Sequence, residues 1–89
     1  MTYHLHTQST KAMDAKTINL ASQVFPSGFT MYHAIGYWHG MRERSSVLEI
    51  AGRNIARKVR KLAGQIRRAN RQNAVLIERS NSKMEVINQ

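Results

Sequence analysis

Arg53-Asn-Ile-Ala-Arg-Lys-Val-Arg-Lys-Leu-Ala-Gly-Gln-Ile-Arg-Arg-Ala-Asn-Arg71 is the stretch around which this chain is organised. It holds eight cationic side chains and no acid. Its apolar residues Ile55, Val59, Leu62, Ile66 and Ala69 recur at steps of 4, 3, 4 and 3, the rhythm of one face of an α-helix. At about 100° per residue, Arg53, Arg57, Arg60, Lys61, Arg67, Arg68 and Arg71 fall on the opposite side. The spacing therefore predicts a helix over 53–72, apolar towards a core or partner and guanidinium-rich towards something anionic.

Working outward, Gly52 separates this helix from Ser46–Ala51, an alternating stretch that predicts a strand. Before it, Phe29–His39 alternates strictly. Phe29, Met31, His33, Ile35, Tyr37 and His39 point one way; Thr30, Tyr32, Ala34, Gly36 and Trp38 point the other. Its aromatic and β-compatible residues predict a second strand. Met41–Arg44 reads as a polar connection that closes an antiparallel hairpin. Upstream, a helix is expected from Ser9 to Phe25, with Ile18, Ala21 and Phe25 on one face and Leu20 and Val24 beside them, stopped by Pro26-Ser27-Gly28. Residues 1–8 read as a flexible tail or a brief edge strand. After the basic helix, Ala74–Glu78 predicts a strand, 80–82 a turn, and Met84–Ile87 a further strand. The fold class is thus α+β in one small domain, 1–89: an N-terminal helix, a β-hairpin, a long basic amphipathic helix on a short sheet, and a C-terminal strand or hairpin. A strand-helix-strand crossover in it is right-handed if its strands are parallel. A rival pattern runs from Leu48 through Gly52, Leu62, Asn73 and Leu76, and would make one long coiled-coil helix.

With 89 residues and a net charge of +9, the chain is near the size where one core is marginal, so a homodimer is expected. The charge suits nucleic acid, nucleotides, anionic membranes or acidic proteins. The absence of cysteine removes disulfides, thiol nucleophiles and thiolate metal sites. No apolar run approaches the roughly 18 residues of a span, and the first residues lack a signal-peptide core. A cytoplasmic protein without membrane attachment is expected, in the host bacterial cell if phage-encoded.

The basic helix is the strongest functional signal, because the planar guanidinium gives two parallel hydrogen bonds to phosphate or carboxylate. Gly64, central on that face, offers room for a close approach. The aromatic strand is the second signal: Tyr37 or Trp38 can stack on a base, although a small domain also needs such residues in its core. His4 and His6 share a strand face and chelate only weakly. His33 and His39 lie about 20 Å apart at strand rise, so no metal and no cofactor are expected. The carboxylates are scattered, no nucleophile motif frames the serines, and no phosphate loop is present; no catalytic residue is assigned. Glu43 and Glu49 read as salt-bridge partners for Arg42, Arg44 or the basic helix.

The stretch Gly28-Phe29-Thr30, with Gly36-Tyr37-Trp38-His39-Gly40, Glu43, Ser45, Val47-Leu48-Glu49-Ile50 and Gln72-Asn73-Ala74-Val75-Leu76-Ile77, resembles small proteins of bacteriophages and mobile elements. The resemblance implies a strand-strand-helix-strand core and supplies no catalytic residues. By analogy with that class, it implies a protein that binds and blocks a host factor. The expectation is a non-enzymatic host-defence inhibitor, anti-CRISPR-like. Its target would be a nucleotide signal, a nucleic acid or the acidic surface of a nucleoprotein effector. A small DNA- or RNA-binding module and a structural assembly protein are the alternatives.

Overall fold

Every second residue at the start of the chain, Tyr3, Leu5 and Thr7, is buried, and this alternation makes Thr2–Gln8 a strand, β1. The computed structural model describes residues 1–80, with all their side chains but that of Trp38. β1 is followed by helix α1 (Lys11–Val24), strands β2 (Thr30–Trp38) and β3 (Met41–Ala51), helix α2 (Ala56–Ala69) and strand β4 (Leu76–Ser80). The sheet order is β2-β3-β1-β4, with every neighbouring pair antiparallel. Two β-α-β units are thus interleaved, the split arrangement of ferredoxin-like folds.

The α+β class holds, but the first element is a strand and not a helix. Residues 2–8 are neither a tail nor an edge: β1 sits between β3 and β4 and pairs with both. The reason is local. Leu5 is fully buried against Leu48 and the helices, so a strand only seven residues long anchors the whole sheet. β3 and β4, each antiparallel to β1, run parallel to each other with β1 between them, and α2 makes the crossover that joins them.

The hairpin differs as well. Met41–Arg44 is strand, not connection, and the turn is His39-Gly40. Their φ angles are +51° and +76°, the double positive of a type I′ turn, which matches strand twist. The long-helix pattern does not form, because Ser46–Ala51 lies in β3 and Leu76 in β4. Ser80 is the last described residue of β4; residues 81–82 of the expected turn and the expected strand over 84–87 lie outside the described residues.

α1 starts at Thr10, whose hydroxyl accepts from the Met13 amide at 3.1 Å, an N-cap. Its end before Pro26 is as expected. Its inward face holds Ala21 and Phe25, with Leu20 and Val24 partly buried beside them, as expected, but Ile18 is 45% exposed and Thr17 is fully buried in its stead. Thr17 faces inward because its hydroxyl accepts from the Asn70 side chain at 3.3 Å, beyond the end of α2. The core is then Leu5, Leu48 and Ile50 from the sheet with Val59, Leu62 and Ile66 from α2, closed by Ala21, Phe25 and Tyr3. Both helices pack on one face of the sheet, and no helix among the described residues covers the other, here called the bare face.

Candidate functional site

The apolar stripe of α2 behaves as its spacing predicts. Val59, Leu62, Ala63 and Ile66 are buried, and Ile55 and Ala69 are half-buried. The helix proper is shorter than expected: Arg53 precedes it and Arg71 follows it. Even so, Arg53, Arg57, Lys58, Arg60, Lys61, Arg67, Arg68 and Arg71 are all exposed. Gly64 is not an open gap, because the guanidinium of Arg68 lies across it; a Cβ there would sit 3.4 Å from Arg68 Nη1.

Two features of α2 oppose its own stability. Its first turn has no acid and no side-chain cap, yet it carries Arg57 and Lys58 where the helix dipole favours negative charge. At the other end, the amides of Arg71 and Gln72 bond back to the carbonyls of Arg68 and Arg67, at 3.3 and 3.0 Å. This is a Schellman closure, and it puts Arg71 at the left-handed position that glycine normally fills. Its φ is +53°, strained for a residue with a Cβ. Strain of this kind concentrates at functional positions.

Charge is sorted by the faces of the sheet. Cross-strand register places His4, His6, Tyr32, Glu43, Val47, Glu49 and Glu78 on the bare face, where no described residue is Lys or Arg. Arg42, Arg44 and Arg79 share the helix-covered side with Leu48, Ser46 and Leu5. The expected pairing of Glu43 and Glu49 with arginines is therefore absent: Glu43 points away from Arg42 and Arg44. Glu49 instead meets His4, with Oε1 3.1 Å from Nε2, and Glu78 meets His6. No Lys or Arg among the described residues is ion-paired with a described acid. Nor do the described residues contain a group of three or more His, Asp or Glu able to hold a metal ion.

Sequence reasoning missed one polar cluster. Asp14, in the first turns of α1, accepts from Ser46 Oγ at 2.7 Å, from Ser9 Oγ at 3.1 and 3.0 Å, and from His33 Nε2 at 2.9 Å. Burial pushes its pKa up, but the bonds from His33, Ser46 and Ser9 together outweigh that and hold the carboxyl below its usual value. Ser46 is fully buried and gives its proton to the carboxylate, while His33 bonds to that same carboxylate. The cluster thus ties α1 to the sheet and has no serine–histidine contact of the kind a nucleophile requires.

Of the expected stacking residues, Tyr37 is 71% exposed and lies opposite Arg42 on the cationic side of the sheet. Trp38 pairs in the backbone with Met41. Among the described side chains, the buried core aromatics are Tyr3 and Phe25. No helix among the described residues is long and apolar enough to cross a membrane. In comparisons with protein-family models and with curated proteins, nothing matches this chain.

Proposed function

We propose that this is a non-enzymatic binding protein that occupies an anionic target through α2 and the residues flanking it. One observation carries the reading: every cation from Arg53 to Arg71 is exposed, and none is paired with a described acid, so the charge is available to an outside partner. The dimension favours a nucleic acid or nucleoprotein over a single nucleotide. Fourteen helical residues at about 1.5 Å each extend about 21 Å, the rise of roughly six base pairs. Arg57, Arg60, Lys61, Arg67, Arg68 and Arg71 supply charge-assisted bonds, and Tyr37 supplies a ring. In the phage setting that the sequence resemblance implies, such a protein works by sequestration, blocking a host defence factor at its nucleic-acid-binding or acidic surface.

The test is a charge reversal. Arg60→Glu, Arg67→Glu and Arg68→Glu together should abolish binding to nucleic acid in electrophoretic and anisotropy assays. Circular dichroism and melting temperature should hold, because exposed cations contribute little to folding. Retention of full binding and of phage protection by this variant would remove α2 from the account.

A further inference from the structure

The β2–β3 hairpin outruns its own sheet. β1 ends at Gln8, which pairs with Ser45. Beyond that row the two strands continue alone through Ile35–Arg44, Gly36–Glu43, Tyr37–Arg42 and Trp38–Met41. These four rows make an arm about 13 Å long at strand rise, capped by the two-residue turn. Its described side chains are largely open: Ile35 is 49% exposed, Tyr37 71% and Met41 73%, and Arg42 and Arg44 are exposed too. An arm with no buried face contributes little to the core, yet its two arginines both lie on the helix-covered side, with Ile35 and Tyr37 between and beside them.

The arm projects from the end of the sheet where α2 finishes. Gln72 joins that end directly, its Oε1 accepting from the Gln8 amide at 2.9 Å. Arg71, next in sequence, and Arg67, whose carbonyl accepts from the Gln72 amide at 3.0 Å, are therefore at that end of the sheet, near the base of the arm. The bare face of the sheet, with three glutamates and no Lys or Arg among the described residues, repels polyanions, so an anionic partner approaches from the helix side.

We propose that the β2–β3 arm enters the major groove of duplex DNA, while Arg67 and Arg71 hold the adjacent phosphates. This rests on the reading of α2 as a nucleic-acid-binding element. The major groove of B-DNA is about 12 Å wide and about 8.5 Å deep and admits a two-stranded ribbon. The arm is long enough to reach its floor. Arg42 and Arg44 are the residue type that reads guanine O6 and N7, and Ile35 supplies an apolar surface for thymine methyl groups. A-form RNA has a deep, narrow major groove that side chains do not read, so duplex RNA is discriminated against.

The experiment compares fluorescent duplex DNA, duplex RNA and single-stranded DNA of equal length at fixed salt, using the full chain. Duplex DNA should bind at least about fivefold more tightly than duplex RNA, the low end of what one good base-edge contact contributes. Methylating guanine N7 in the duplex should remove that advantage in the wild-type protein. Two variants follow. Arg42→Ala with Arg44→Ala should bring duplex DNA down to the level of duplex RNA while single-strand binding stays within twofold. Replacing residues 37–42 by Asn-Gly, which shortens the arm by two rows and keeps the strand parity, should likewise bring duplex DNA down to the level of duplex RNA. Equal affinity for the two duplexes, or indifference to N7 methylation, overturns the arm assignment and leaves α2 as the binding element. Absence of binding to all three probes at low salt overturns both readings.

Discussion

Gln72 and Thr7 stand 65 residues apart in sequence, and the Gln72 side chain donates to the Thr7 hydroxyl at 2.5 Å. The same amide group accepts from the Gln8 backbone N–H. One buried glutamine therefore fastens the end of the basic helix to the end of the central strand. It is also the residue from which the chain turns into β4, so the position of Arg67, Arg68 and Arg71 relative to the sheet depends on it.

Gln72→Ala should therefore destabilise the protein by about 1–3 kcal/mol, the cost of leaving buried polar groups unpaired. Urea unfolding measures this. Nucleic-acid affinity should fall as well, although no charge is lost, because the cations at the helix end are no longer held in place. A variant with unchanged unfolding midpoint would show that Gln72 fastens nothing.

Asp14 predicts a pH dependence. Its folded-state pKa is depressed below the ordinary carboxylate value of 3.8. A depressed carboxyl contributes stability that is fully present above its unfolded pKa and is lost as pH falls through the folded pKa. Asp14→Asn should therefore lower the unfolding midpoint at neutral pH. The difference from wild type should shrink once pH drops below about 4. A constant difference down to strongly acid pH would mean that the carboxylate charge is not what binds His33, Ser46 and Ser9.

How much of this was legible in the sequence depends on whether a residue's face is buried by its own element or by register. The stripe Val59, Leu62, Ile66 was legible because one helix buries it. The strand alternation of Phe29–Trp38 was legible because aromatic and β-branched residues mark it. Residues 2–8 were misread because three inward residues, one of them Thr7, give a weak alternation, and only partners on both sides make that strand central. Met41–Arg44 was misread for the opposite reason: an arm with no buried face leaves no hydrophobic pattern. His39-Gly40 is not the Asn-Gly or Asp-Gly pair that usually signals such a turn. The pairing of Glu49 with His4 and of Glu78 with His6 could not be read at all, because it depends on strand order.

Arg71 separates charge from backbone strain. Arg71→Gly should raise stability by about 1 kcal/mol, since glycine adopts the left-handed closing position without the Cβ clash. The same variant should bind nucleic acid more weakly. Opposite signs in thermal melting and in anisotropy are the expected outcome. A gain in stability with unchanged affinity would mean that the Arg71 guanidinium makes no contact with the target.

Self-association should follow from the sheet edges. Among the described residues β4 ends the sheet on one side, with Leu76 and Ile77 exposed, and β2 ends it on the other. Such edges pair with a second chain unless something blunts them. Light scattering at micromolar concentration should give a dimer, and Leu76→Lys should shift it towards monomer. A wild-type monomer across that range would contradict this expectation.

Salt dependence tests the electrostatic reading most quantitatively. Each phosphate neutralised on duplex DNA contributes about −0.9 to the slope of log affinity against log salt. If Arg60, Arg67 and Arg68 each hold one phosphate, the triple alanine variant should be shallower than wild type by about 2.7. Alanine, unlike glutamate, removes charge without adding repulsion, so the slope difference counts contacts. Affinity lost with the slope unchanged would mean that these side chains contribute through shape or through a protein surface. A flat wild-type slope would show that the eight cations between Arg53 and Arg71 track no phosphates at all.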